Sequence, residues 1–305
     1  MASCRFVSRF VLLLVVVAAG FEVVVSASPV IDDVRLAKQF VAGLGPLASS
    51  GRTLKSEGIR ESLAAKAGAT VDLPQAATPC SLEPDRPLYD AVVPAIVTVG
   101  SVYKCEKCSD WHIGGLATGW VLSPDGLVVT NHHVLERDKG HSFGVMASDG
   151  TVFAIEEVVA TDPAGDAAII RIATGGRQLP HLAIGRPSGC GEPVSVISHP
   201  RGRFYCLTEG VVSRYHRQKG AVWMSVTADY AVGSSGGPVF NAAGEVVGMV
   251  SRTFNPPLPN ATAKPGDAAQ PQTQPQPKSA PAVPDQMVFK DCVSAETLRK
   301  LLQPH

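Results

Sequence analysis

The sequence predicts an all-β fold: two six-stranded antiparallel β-barrels closed by a short C-terminal helix. Three observations lead there. From Leu88 onward, short runs of Val, Ile and Leu alternate with turn signals such as Ser123-Pro124-Asp125-Gly126, Ser148-Asp149-Gly150 and Ala242-Ala243-Gly244-Glu245, the texture of strands joined by tight turns. Twelve such runs divide into two groups of six. No long helical period intervenes between them.

In chain order the first group is 95–103, 116–122, 127–131, 142–147, 151–160 and 167–172, and the second is 193–198, 205–213, 221–227, 237–241, 246–252 and 287–290. Residues 254–286 interrupt the second group with nine prolines, one aromatic and one glycine. So little apolar surface cannot offset ordering, so a mobile low-complexity loop is expected. Beyond it, Ser294 is placed to cap a helix that carries Val293, Leu298, Leu301 and Leu302 on spaced faces.

Ahead of the strands, Arg5 and Arg9 precede the apolar run Val11–Ala19, and the small residues Val25-Ser26-Ala27 follow. This is the layout of a secretory signal peptide over residues 1–27. An uncleaved anchor is the rival, but the run falls short of the roughly 20 residues that span a bilayer. Export to a secreted or periplasmic location follows, with no membrane contact in the mature form. Residues 28–84 mix helical patches (Ile31 to Leu44, Ile59 to Lys66) with Gly, Ser and Pro, and read as an N-terminal extension, pro-segment or loosely packed leader. The domain proper then covers 85–303.

Charge adds an exclusion. The 27 basic and 27 acidic residues cancel, so no global field attracts nucleic acid or an anionic membrane.

Three short strings carry chemistry. Gly233-Ser234-Ser235-Gly236-Gly237-Pro238 places a serine between glycines, which lets the backbone turn sharply and its amides converge on one point. A serine hydroxyl needs a base to remove its proton, so the string means little without a histidine and a carboxylate. Thr130-Asn131-His132-His133-Val134 sets two histidines at a strand end, and Gly165-Asp166-Ala167-Ala168-Ile169 sets an acid at the entrance of an apolar strand. Asp162, before Pro163, reads as a turn residue.

Together, and in this order, the three strings resemble the motifs of trypsin-like serine peptidases with the chymotrypsin fold. The run Gly119-Trp120-Val121-Leu122-Ser123-Pro124-Asp125-Gly126 resembles the bacterial HtrA (DegP-like) branch in particular. The resemblance covers about residues 88–303. It implies a serine endopeptidase acting on polypeptides through an acyl-enzyme, with His133 as general base, Asp166 as its orienting carboxylate and Ser235 as nucleophile. His132 would be a neighbour. The amides of Gly233 and Ser235 would form the oxyanion hole, and Ser251 would hydrogen-bond the buried aspartate and open the substrate-binding edge strand. No cofactor is implied. The sequence departs from the digestive branch, which pairs a freed terminus with an aspartate before the nucleophile: Ser234 stands there and no Ile-Val-Gly-Gly-like segment occurs. HtrA relatives usually carry a PDZ domain after the peptidase domain, and the sequence ends at His305 without one.

Two readings stand for Asp229. It lies six residues before Ser235, the spacing of the acid that binds Arg or Lys in trypsin-type enzymes, or it is a solvated loop acid. Thr253 is placed to narrow the cleft.

Removing the signal peptide takes Cys4 and leaves Cys80, Cys105, Cys108, Cys190, Cys206 and Cys292, an even set that in an exported chain points to disulfides. Cys105-x2-Cys108 with His112 is half of a zinc pattern, but no second Cys-x2-Cys completes it, and no metal site is expected. Asn260-Ala261-Thr262 is a glycosylation sequon. Two rival functions remain. Gly233 to Gly237 also fits the Gly-x-Ser-x-Gly elbow of esterases, whose histidine follows the serine, yet His305 is the one histidine downstream. A non-catalytic binding protein on the same fold is the other.

Overall fold

The computed structural model describes residues 30–73, 86–136, 140–254 and 287–303. The expected signal peptide, Cys4, Cys80, the sequon and nearly all of the low-complexity loop lie outside the described residues. Two helices come first, α1 (Asp33–Ser49) and α2 (Ser56–Ala65), then the short α3 (Leu88–Val92). Six strands follow: β1 (Ile96–Lys104), β2 (Trp111–Ser123), β3 (Leu127–Thr130), β4 (Ser142–Met146), β5 (Val152–Asp162) and β6 (Ala167–Ile172), with the single turn α4 (His132–Leu135) after β3. A second six comprises β7 (Pro193–Ser198), β8 (Cys206–Gln218), β9 (Ala221–Val226), β10 (Pro238–Phe240), β11 (Val246–Phe254) and β12 (Phe289–Ser294), ending in α5 (Ala295–Arg299).

Each group closes on itself as an antiparallel barrel, in the orders β1-β2-β3-β6-β5-β4 and β10-β11-β12-β9-β8-β7. This is the chymotrypsin-like arrangement that the strand count predicts. Closure gives every strand a neighbour on both sides, and the β-branched residues that dominate the strands fill the interiors. Val97, Val99, Val128, Phe143, Ile155 and Ile170 pack the first core, and Val194, Val196, Met224, Val239, Val247 and Cys292 pack the second. The predicted cap on the last helix is present: the Thr297 amide donates to Ser294 Oγ at 3.3 Å, and Leu298 and Leu301 are buried.

Residues 33–65 pack against the first barrel. Asp32 caps α1 by accepting the Arg35 amide at 2.9 Å, and the face bearing Phe40 and Leu44 is fully buried. Ile59 and Leu63 of α2 join the first core itself. Val71 then pairs with the other end of the chain, its amide donating to Leu301 O at 2.8 Å and its carbonyl accepting from Gln303 at 2.9 Å.

The cysteines differ from the disulfide expectation. Among the described residues Cys105, Cys108, Cys190, Cys206 and Cys292 are all free. Cys292 is sealed in the second core while Cys190 is exposed, so the even count does not translate into facing pairs.

Candidate active site

The cleft lies between the barrels, and each barrel supplies part of it. His133 is on α4, the turn that follows β3. The preceding Asn131 is fully buried, and its side-chain amide donates to Asp166 O at 2.9 Å, tying the histidine turn to the start of β6. Asp166 itself has φ 54°, a left-handed conformation that costs a non-glycine residue energy and marks a position fixed by its surroundings.

That backbone turns the carboxylate toward the imidazole. His133 Nδ1 lies 2.8 Å from Asp166 Oδ2 and 3.0 Å from Oδ1, and the His133 amide donates to Oδ1 at 3.1 Å. The Ser251 hydroxyl donates to Oδ2 at 2.5 Å. Burial alone would push the Asp166 carboxyl up, but the hydrogen bond and charge of His133, with the Ser251 hydroxyl and the His133 amide, outweigh it and hold the pKa below the usual carboxylate value. An ionised Asp166 is an acceptor only, which puts the proton on His133 Nδ1 and leaves Nε2 with its lone pair free. Nε2 is 3.1 Å from Ser235 Oγ. The three residues named from the sequence thus stand in one line, carboxylate to imidazole to hydroxyl.

Ser235 sits in a turn that only glycine permits. Gly233 and Gly236 have φ of 99° and 85°, and a Cβ on Gly236 would run into Thr118 O, one on Gly233 into His199 O. The amides of Gly233 and Ser235 donate to no acceptor among the described residues, so both are available to a negative oxygen beside Ser235 Oγ. The turn is braced from both barrels. The Thr118 amide donates to Ser235 O at 2.8 Å and its hydroxyl to Gly233 O at 2.9 Å. Val232 O accepts from Arg201 N at 2.7 Å. Ser234, at the position the digestive branch fills with aspartate, is fully buried, and its Oγ accepts from Ser198 Oγ at 2.9 Å.

Thr118 and His199 escaped sequence reasoning. His199 is fully buried, accepts the Tyr205 amide on Nδ1 at 3.0 Å, and donates its own amide to Thr118 Oγ1 at 3.0 Å. Burial pulls its pKa down to about 4. A threonine inside a strand and a histidine after one carry no local signal of a role in a turn far along the chain.

Beside Ser235 opens a cleft of about 360 Å³ lined by Leu116, His133, Tyr230, Val232, Val250 and Thr253, among others. Thr253, the residue expected to narrow the cleft, is in this lining. The position of Asp229 fits the solvated-loop reading rather than the basic-pocket one. Its side chain is 85% exposed and paired with Lys290 Nζ, and it is not part of this lining. Tyr230, next in the chain, turns inward instead, its hydroxyl donating to Arg252 O at 3.0 Å and Asp291 O at 3.1 Å. His132 faces away from Ser235, with Nδ1 2.7 Å from Thr161 Oγ1.

Residues 117–249 match the family described as the trypsin-like peptidase domain. Among curated proteins the chain is similar to the probable periplasmic serine endoprotease DegP-like of Brucella suis, 32% identical over 162 residues, covering 48% of this chain and 31% of the relative. The protein of the same name from Pseudomonas savastanoi pv. phaseolicola is 35% identical over 145 residues, 46% of this chain and 29% of the relative. That of Bartonella henselae is 32% identical over 162 residues, with 48% and 31% covered. The chain spans about a third of the length of these relatives.

Proposed function

We propose that the chain, whose residues 117–249 match the trypsin-like peptidase domain family, is an exported serine endopeptidase that cuts polypeptides through an acyl-enzyme. One observation carries the proposal, the unbroken line from Asp166 through His133 to Ser235 with contacts of 2.8 and 3.1 Å. In this reading His133 Nε2 takes the Ser235 proton as Oγ attacks the scissile carbonyl, and returns it to the leaving amine; water then repeats the cycle on the ester. Asp166 holds the imidazole in the required tautomer and balances its charge. The oxyanion is received by the amides of Gly233 and Ser235, a contact worth about 3 kcal/mol per donor in the transition state.

Substrate binding follows from β11. Its pairing with β10 ends at Met249, so from Ser251 onward the edge that faces the cleft is available for an extended substrate backbone. Ser251 therefore serves twice, with its hydroxyl on Asp166 and its main chain beside the substrate, and Thr253 borders the path. The Tyr230 ring and Val250 in the lining, without a carboxylate at their base, favour an apolar residue before the cut over Arg or Lys.

The test is labelling with a fluorophosphonate, comparing the native chain with Ser235→Ala and His133→Ala, followed by a peptide library read at the residue before the cut. Labelling that depends on both residues, with peptide turnover, is expected. Ester turnover without peptide turnover would select the esterase reading, and absent labelling the binding-protein reading. Export, supported by the signal-like N-terminus and by the periplasmic naming of the relatives, is checked by sequencing the mature terminus, expected to follow Ala27.

A further inference from the structure

The turn joining β1 to β2 carries the Cys105-x2-Cys108 pair, far from the chemistry at Ser235 in sequence and outside its contacts. The fold brings this half pattern together with its histidine: the Sγ atoms of Cys105 and Cys108 and a ring nitrogen of His112 all lie within 4.8 Å of one another. Cys108 Sγ is 3.0 Å from His112 Nε2.

We propose that Cys105, Cys108 and His112 bind a Zn²⁺ ion that staples the tip of the β1–β2 hairpin. Tetrahedral bonding at zinc places two sulfurs ~3.8 Å apart and a sulfur and a nitrogen ~3.6 Å apart, so the three ligands reach that geometry through shifts of less than about an ångström. The turn is already wound for it. The Cys105 amide donates to Asp110 O at 2.9 Å, the Ser109 amide returns to Cys105 O at 3.0 Å, and Ser109 takes the left-handed φ of 58° that closes the loop.

Neighbours hold the ligands in place. The His112 ring stacks on Tyr103, with centroids 5.7 Å apart, and Trp111 anchors the hairpin to α1 by donating its indole N–H to Ser49 Oγ at 3.3 Å. Two thiolates and an imidazole are soft donors, which select Zn²⁺ over Mg²⁺ or Ca²⁺. The fourth corner is open to solvent beside the exposed Cys108. The ion would fix the outer end of β2, whose inner end reaches Thr118 and the Ser235 turn.

The test uses the full chain, purified without chelator in a reductant that does not bind metal, and titrated with ZnCl₂ by calorimetry in two buffers of different ionisation heat. Expected are one Zn²⁺ per chain, proton release on binding, and a rise in Tm of roughly 5–10 °C at a zinc concentration about 100-fold above Kd. Zinc should shield Cys105 and Cys108, but not Cys190, from iodoacetamide. His112→Ala should weaken binding at least tenfold, and Cys105→Ser with Cys108→Ser should abolish it while the circular dichroism stays native. No saturable binding by the native chain, undiminished binding by the double variant, or a Cys105–Cys108 disulfide that persists in the reductant would each overturn the proposal.

Discussion

The hydroxyl of Thr118, on the first barrel, donates to the carbonyl of Gly233, on the Ser235 turn of the second, at 2.9 Å. The same oxygen accepts the His199 amide at 3.0 Å, so one buried side chain joins β2, the end of β7 and the Ser235 turn. Holding the Gly233 carbonyl against Thr118 fixes the orientation of its peptide and keeps the neighbouring amides facing the cleft. Thr118→Val preserves shape and removes both bonds. It should cost about 1–3 kcal/mol of stability, as expected for buried groups left unpaired. It should also lower kcat by roughly 10²-fold with little change in KM, because the donors matter only in the transition state. Thr118→Ser, which keeps the hydroxyl, should retain most activity.

Asp166 and Ser251 differ in what their loss removes. Asp166→Asn puts an amide where the imidazole needs an anion, and should reduce kcat by about 10⁴ through the wrong tautomer. Ser251→Ala takes away one of several hydrogen bonds to an otherwise intact carboxylate. A fall of roughly tenfold in kcat is expected, equivalent to about 1.4 kcal/mol. Steady-state kinetics on one peptide ester rank the two.

Gly236→Ala has no room. The added methyl meets Thr118 O, and φ is 85°, so strain and collision act together. Destabilisation above about 3 kcal/mol is expected, with loss of fluorophosphonate labelling. Denaturant unfolding of the purified variant measures the first, and gel fluorescence the second.

Acid should act through His199. It is neutral in the fold, with a pKa of about 4, whereas an unfolded histidine titrates near 6.5. Between those values the unfolded chain binds a proton that the folded chain refuses. The stability contributed by this group is therefore complete above about pH 6.5 and is lost as pH falls toward 4, roughly 3 kcal/mol in all. Tm measured from pH 7 to 4.5 should fall less steeply in His199→Gln than in the native chain.

Helix α1 offers a stability test outside the cleft. Phe40 is fully buried between α1 and the first barrel, and Phe40→Ala should cost about 3–5 kcal/mol by denaturant titration. A variant lacking residues 30–65 should expose the Ile59 and Leu63 contacts of the first core and lose cooperative unfolding.

The strands were legible because short β-branched runs and Gly/Pro/Asp turns are local signals, and 167–172 and 193–198 match the observed β6 and β7 residue for residue. His133, Asp166 and Ser235 were legible for a different reason: the chemistry demands those residue types, and the flanking glycines betray the backbone that presents them. Asp229 shows where counting stops. Spacing along a chain does not say which of two neighbours turns inward: the Tyr230 hydroxyl reaches Arg252 O and Asp291 O while the Asp229 side chain stays exposed. The amphipathic patches of α1 and α2 were visible, but their partner is the outer wall of a barrel assembled from distant strands, which no local window contains. His112 was noticed beside the cysteines, and its arrival at Cys108 depended on the hairpin register that sets Tyr103 opposite His112.

Phe254 and Phe289 are register partners at the mouth of the β11–β12 pair, so the 34 residues between them leave and re-enter the second barrel at a single doorway. The barrel is indifferent to how much chain passes through it, since loop-closure entropy grows only with the logarithm of length: replacing the segment with a four-residue turn would alter stability by about 2 kcal/mol. Thr253, one residue inside that doorway, borders the cleft. The position is thus a natural graft port, where a recognition peptide or an inhibitory sequence of another length could be exchanged without rebuilding either core and would be delivered beside the cleft.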